Sequence, residues 1–426
     1  MLSRLHLEDL RTIAHYLGSI VSLLVPLMAI PLLLAIILGE SRSAVSFLYG
    51  IGATLIVGSA LRLVRVRPQR LTAQQAIVVT GLSWVFVSML GAVPLAFSGH
   101  YASYLDACFE AVSGFTTTGL TLVQDLDHMP LSTNMWRFLM EFVGGQGILV
   151  AALAVGLYGR GGGSSMAAQS ANVGTEQVLP NIRQTTTFIL FVSCTVIGVS
   201  TLLMTIIMLL DGIEPLRAFL NGLWISIGSF ETGSFAPQSM GIMHYHSQSL
   251  EILILITALL GIINYALYAE LGKGNMRELF RNIETKTFFL WVTAVVIMGV
   301  SAMAGTGMLS GLDAIMRRGL FAFVSAATNM GFSNMYPSQM AALLTSGSLF
   351  AIMLGMLVGG SSNSTSGGIK SMRIGILFKS IADSRRRAIC PIFHSRICKY
   401  YYNKYLHNNS LLRSISQPLY TRTLHN

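Results

Sequence analysis

Long apolar runs, broken by short polar stretches, set the pattern of the chain. Residues 13–38 and 44–66 are each long enough to cross a bilayer, which takes about 20 apolar residues. They are joined by Gly39-Glu40-Ser41-Arg42. Beyond them a three-part pattern repeats. Residues 73–97 predict a span, residues 104–115 are apolar but too short to cross, and residues 135–158 return. The same order recurs at 185–210, 215–229 and 248–270, and again at 287–309, 314–327 and 338–358. A Thr/Gly loop follows each short segment. The first is Ser113-Gly114-Phe115-Thr116-Thr117-Thr118-Gly119-Leu120-Thr121. Its template, Ser-x-x-Thr-x-x-Gly-apolar, returns at Ser325, Thr328, Gly331 and Phe332, and in degraded form at Gly228, Glu231, Ser234 and Phe235. Non-helical backbone within a bilayer is tolerated only where it is buried in protein or lines a water-filled path. The pattern therefore predicts an all-α polytopic membrane protein, with two scaffold spans followed by three span–pore helix–span repeats around a central ion pathway. The expected divisions are a scaffold at 1–70, repeats at 71–184, 185–284 and 285–387, and a basic, disordered tail at 388–426.

Composition and charge sharpen this reading. Of 426 residues, 53% are hydrophobic and 11% charged, against roughly 25% charged in a soluble domain. The net charge of +10 does not point to nucleic acid, because the basic residues gather at segment ends. Arg62, Arg65, Arg67 and Arg70 follow the second span; Arg160 and Arg183 flank the loop at 159–184. Lys273, Arg277, Arg281 and Lys286 follow the second repeat, and Lys370, Arg373 and Lys379 the third. By the positive-inside rule these face the cytoplasm, as does the N-terminus, and the three Thr/Gly loops face outward. No cleavable signal peptide is expected, since the first apolar run is too long. The outer connections carry Asp106, Asp125, Asp127, Asp211, Glu214 and Asp313. These acids either raise the local cation concentration or start the short helices, where carboxylates are favoured.

Enzyme chemistry finds no support. Paired acids, Ser/His pairs and metal ligands are missing from the predicted spans. His244 and His246 fall in an outer connection. Cys390 and Cys398, with His394 between them, form a weak metal pattern. Arg137 and Glu141, near the start of a returning span, are expected to pair or snorkel, and Asn264 to bond between helices.

The loops suit cation conduction. A dehydrated cation needs oxygen ligands, which selectivity filters supply as rings of backbone carbonyls. Gly allows the backbone angles that turn a carbonyl inward, and Thr adds a hydroxyl. A short helix ending at each loop directs its partly negative end toward the ion. The candidate ion-binding residues are Thr116, Thr117 and Gly119 in the first loop, Thr232, Gly233 and Ser234 in the second, and Asn329, Met330 and Gly331 in the third. A second feature is the Gly/Ser break at 359–371, where a continuous helix is disfavoured. It lacks the GK[ST] of a phosphate-binding loop and reads as a gate, with Gly359, Gly360, Ser364, Thr365, Gly367, Gly368 and Lys370 as its residues.

Three pieces carry a family resemblance: Phe109 to Gly119, Gly144-Gly145-Gln146-Gly147-Ile148, and Gly359 to Lys370. Together they resemble the Trk/Ktr/HKT potassium-uptake family, and within it the bacterial Trk membrane subunits, over about residues 1–387. The resemblance implies a multi-pass protein of the cell inner membrane, a homodimer, and a cytosolic nucleotide-binding ring that regulates opening. It implies K+ as the transported ion, with filter glycines at Gly119 and Gly331 and the gate at Gly359 to Gly368. Two departures stand out. Ser234 occupies the glycine position of the second loop beside Glu231, a carboxylate where the template has Thr; both weaken the expectation of K+ over Na+. The family also has a fourth repeat that the 426 residues do not contain, so the rival expectation is a truncated, non-conducting remnant or an accessory membrane subunit.

Overall fold

The computed structural model describes residues 7–64, 73–147, 182–305, 312–336, 338–340, 345–362 and 364–389. The loop expected at 159–184 falls almost wholly outside these residues, as do the cysteine–histidine pattern at 390–398 and nearly all of the expected tail. The described chain is helical throughout, apart from one two-residue strand pair.

The scaffold consists of α1 (Leu7–Ser22), α2 (Leu24–Leu38) and α3 (Ser41–Arg62). The apolar run expected as one span is thus two helices with a break at Leu23. Gly39, in the left-handed conformation (φ +71°), ends α2 and turns the chain into α3. The first repeat contains α4 (Ala73–Ser98), the short α5 (Tyr104–Phe115) and α6 (Leu131–Gly145). The second contains α7 (Ile182–Leu210), the short α8 (Pro215–Phe230), and then α9 (Gln248–Gly261) and α10 (Tyr265–Gly272). A short α11 (Met276–Arg281) follows. The third contains α12 (Ile283–Ala304), the short α13 (Leu312–Ala327) and α14 (Ser346–Leu357). Strands β1 (Val358–Gly359) and β2 (Ile369–Lys370) pair in parallel, and α15 (Ser371–Ile389) leaves them.

Two sequence expectations need correction. The span expected at 248–270 is broken: α9 and α10 meet at 95°. The side chain of Asn264 accepts from the N–H of Ala266 and caps α10, so the polar residue within the apolar run starts a new helix. The Gly/Ser break at 359–371 is not purely irregular either, since β1 and β2 close it into a loop.

Among the described residues, five helical segments are long and apolar enough to span a membrane, and six if the bent pair counts as one. Their outer faces are apolar: Ile37, Leu210 and Leu290 are each more than three-quarters exposed, a surface suited to lipid rather than water. Inside, Val21, Met28, Phe47, Leu95, Phe115 and Trp136 form one core that packs the scaffold on the first repeat. The scaffold also reaches the repeat through a charge. Glu40 accepts from the backbone N–H groups of Leu131 (2.8 Å) and Ser132 (3.1 Å) and from the Ser132 hydroxyl. A carboxylate at the first turn of α6 satisfies its free N–H groups and complements its dipole.

Candidate functional site

The short helices end alike, α5 and α13 with two closing bonds and α8 with one of them. In α5, Thr117 N–H bonds to the Gly114 carbonyl (3.0 Å) and Thr118 N–H to the Ser113 carbonyl (2.8 Å). In α13, Asn329 N–H bonds to Ala326 (3.1 Å) and Met330 N–H to Ser325 (3.0 Å); in α8, Gly233 N–H bonds to Gly228 (2.9 Å). This is the paired-bond helix terminus that requires a left-handed residue just past the helix. That residue is Thr117 (φ +51°), Thr232 (φ +54°) or Asn329 (φ +58°). Two positions on, the backbone is left-handed again, at Gly119 (φ +74°), Ser234 (φ +66°) and Gly331 (φ +80°). Five non-glycine residues have positive φ among the described residues, and four of them lie in these loops. Strain concentrated in this way marks positions held for a purpose other than stability. The backbone thus restores the register of the degraded second copy, with Ser234 standing where the other loops have glycine.

The three loops converge. A side chain at Gly119 would collide with the Gly233 carbonyl and Ser234, and one at Gly331 with the Ser234 hydroxyl. Loop 2 therefore lies between loops 1 and 3, and the Ser234 side chain occupies the space between the two glycines. Around it, Thr232 and Phe235 are buried, and Met330 is packed away in the core with Phe321 and Ile254. Thr116 is exposed, its hydroxyl donating to the Val112 carbonyl at 2.7 Å. Glu231 holds the position where the template has Thr. It is wholly buried and turned toward α6, where Gln146 donates to it at 2.8 Å; its carboxyl lies against Gly145.

Buried polar groups fix the loops to their neighbours. Glu110, in α5, accepts from the Thr121 hydroxyl (2.9 Å), the Leu122 N–H (3.1 Å) and Arg137 Nε (2.8 Å). Both members of the Arg137–Glu110 pair have no solvent exposure, so Arg137 pairs as expected but does not snorkel. In the next repeat Glu251 accepts two bonds from Arg317, at 2.6 and 2.9 Å, and one from Asn334 at 3.1 Å. These links were not read from the sequence; a buried charge within an apolar run was the available signal.

The expected gate segment lies against loops 2 and 3. The Thr365 hydroxyl donates to the carbonyls of Phe230 (2.9 Å) and Gly261 (3.1 Å), and Thr232 donates to the Thr365 carbonyl at 3.3 Å. Asn329 Nδ2 donates to the Ser366 hydroxyl at 3.1 Å. Gly359 and Gly360 approach Gly367 and Ile262 too closely for side chains, and Gly368 is left-handed (φ +73°). The Ser364 hydroxyl donates to the Ser361 carbonyl at 2.7 Å and Lys370 Nζ to the Ser366 carbonyl. Glu284 accepts from Ser362 Oγ (2.6 Å) and from Asn264 Nδ2 (3.0 Å), joining the segment to the bend between α9 and α10. Asn264 therefore makes both the helix cap and the expected bond between helices.

In the connections expected to face outward, Asp106 completes a capping box with Ser103, which accounts for that acid structurally. Asp125 is exposed; the His128 imidazole, 2.8 Å away, holds its carboxyl below the usual carboxylate range.

The sequence matches the profile of the TrkH cation transport proteins over residues 43–400, most of its length. The chain belongs to the TrkH cation transport family. It is similar to an uncharacterized cation transporter of Methanocaldococcus jannaschii, at 27% identity over 91% of this chain and 76% of that protein. It is 26% identical to the Trk system potassium uptake protein TrkG of Escherichia coli, over 87% of this chain and 75% of TrkG. To E. coli TrkH it is also 26% identical, over 89% and 77% of the two chains. The crystal structure of the potassium transporter TrkH from Vibrio parahaemolyticus superposes with a TM-score of 0.74 at 21% identity, covering 91% of this chain and 78% of that one. The fold is thus TrkH-like, and membership of the TrkH family makes the chain a multi-pass membrane protein of a transport family, not an enzyme.

Proposed function

We propose that this chain is a pore-forming subunit for potassium uptake across the cell inner membrane, its N-terminus cytoplasmic. The observation that carries the reading is the meeting of three loops of like backbone conformation at Gly119, Ser234 and Gly331 within a cation transport family. In this reading α5, α8 and α13 are pore helices of three span–pore helix–span repeats around a central ion pathway. The backbone carbonyls of their loops replace the water of a dehydrated K+. Relatives named as potassium uptake proteins support the choice of ion. A homodimer and a cytosolic nucleotide-binding ring are the proposed partners, and Lys273, Arg277 and Arg281 offer the ring a basic face. The test is uptake by the purified chain in liposomes, together with potassium-limited growth of a transport-deficient bacterium expressing it. Selective K+ entry supports the reading; absence of cation flux in both assays rejects it.

The Ser234 side chain, placed between two glycines, alters the ring. Ser234→Gly raises the K+/Na+ uptake ratio, measured with both ions in the same liposomes; an unchanged or lower ratio removes Ser234 from the determinants of selectivity.

Residues 359–368 are proposed as the gate. Shortening the segment removes the bond that Thr365 donates and the one that Ser366 accepts, which hold it against loops 2 and 3. The expected result is higher flux at an unchanged K+/Na+ ratio. Unchanged flux in a conducting protein places the gate elsewhere.

A further inference from the structure

Loop 2 holds a serine in a conformation that favours glycine, two positions past another left-handed residue, Thr232. The left-handed region is disfavoured for residues with a side chain, so something outside the loop must fix it there. The supporting element is α6. Asn134, Arg137 and Glu141 are spaced by three and four residues, which places them on one helix face, and all three are buried. They meet the loop residue by residue. Glu141 Oε1 accepts the N–H of Phe235 at 2.8 Å. Arg137 lies 4.2 Å over the Phe235 ring and its Nη1 donates to the Ala236 carbonyl at 3.4 Å. Asn134 Nδ2 donates to the Pro237 carbonyl at 3.1 Å.

Of these, Glu141 brackets Ser234. Its bond goes to the residue after the serine, and its carboxyl packs on the residue before it: a side chain at Gly233 would come within 2.5–2.8 Å of the carboxyl atoms. In this dry setting the bond is not shared with water. The other loops differ. In loop 1 the corresponding carboxylate contacts begin at Thr121 and Leu122, beyond Gly119. In loop 3 a serine hydroxyl, Ser325, bonds to the Phe332 carbonyl. The helix equivalent to α6 in the second repeat is α9: Gly144 packs on the Phe115 carbonyl as Gly261 packs on that of Phe230. Three residues before Gly144 is Glu141; three before Gly261 is Ala258, which cannot accept a bond, and the loop that α9 faces has its glycine, Gly331. The glutamate occurs where the glycine is missing.

We propose that Glu141 is a positioning residue that holds Ser234 left-handed, so that the carbonyls of loop 2 keep their place in the ring and ion discrimination depends on a side chain remote from the ion. The proposal rests on the pore reading above. It makes the Ser234 and Glu141 substitutions non-additive, because glycine at 234 adopts the conformation without help.

The experiment compares Glu141→Ala and Glu141→Gln, each with serine and with glycine at 234, in the full chain. Two quantities are read: the K+/Na+ uptake ratio in liposomes, and the shift in melting temperature on exchanging Na+ for K+ in detergent. With Ser234 in place, Glu141→Ala lowers the K+/Na+ ratio at least fivefold and removes the difference in melting temperature between the two ions. Glu141→Gln stays within twofold of wild type, since the amide oxygen accepts the same N–H. In the Ser234→Gly background, Glu141→Ala stays within twofold of its parent. A Glu141→Ala protein that folds only in the glycine background supports the proposal as well. Equal losses in both backgrounds, failure to fold in both, or an unchanged ratio with Ser234 each overturn it, the first two by making Glu141 general scaffold. A wild-type chain with neither cation flux nor a cation-dependent melting shift rejects the pore reading itself, and this proposal falls with it.

Discussion

Gly119→Val abolishes cation uptake. The residue has φ +74°, a region that costs a non-glycine residue roughly 1–2 kcal/mol and a β-branched one more. The new side chain would also enter occupied space, against the Gly233 carbonyl and the Ser234 side chain of the neighbouring loop. Both effects push loop 1 away from loop 2, and a carbonyl ring displaced by even part of an ångström no longer matches a dehydrated ion. Uptake of K+ into liposomes, normalised to folded protein, is the measurement; activity equal to wild type would remove Gly119 from the filter. Gly331→Val acts in the same way from the other side of Ser234.

Arg137→Ala is the second large effect, and it acts on stability. Arg137 and Glu110 form a pair with no solvent exposure, and removing one partner of such a pair costs about 3–5 kcal/mol, because the remaining charge is buried and uncompensated. Glu110 would keep its bonds from Thr121 and Leu122 but lose its cation. The expected result is a large fall in melting temperature and in the yield of monodisperse protein. Arg137→Met combined with Glu110→Gln recovers much of the loss, since the neutral amide leaves no buried charge and its oxygen can still accept from Thr121 or Leu122. A single Arg137→Ala variant as stable as wild type would show that the pair is not what fixes α5 to α6.

The short helices were legible to the residue or nearly so. Residues 104–115 were expected as a short apolar segment, and α5 is Tyr104–Phe115. Their apolar runs are bounded on both sides by turn chemistry, which makes such ends readable. The left-handed geometry was half legible. Gly119 and Gly331 announce it, whereas Thr117, Thr232 and Asn329 adopt it without a residue type that demands it, because the helix terminus imposes it. The bend at Asn264 was missed for a related reason: the apolar run continues through 248–270, and periodicity does not distinguish a broken span from a straight one. The direction of Glu231 was not legible, because the template aligns residues by backbone position. Which way a side chain leaves that backbone was decided by Gln146, 85 residues away. The cross-repeat bonds of Glu141 and Glu251 had no signal that named their partners, since each partner belongs to another repeat of the chain.

The Thr365 hydroxyl has a consequence for how occupancy and access are linked. It rests on the carbonyl of Phe230, the last residue of α8, which in the pore reading is one of the helix-end oxygens at the negative end of a short helix. While the hydroxyl is there, that oxygen is engaged from below. If segment 359–370 is the gate and withdraws, the oxygen loses its hydroxyl partner and is open to another positive one, and a passing ion would be such a partner. Retraction of the barrier and attraction of the cargo would then act on a single oxygen. By linkage, whatever favours the ion at that oxygen also favours the withdrawn segment, so the permeating ion would itself act as an opening ligand.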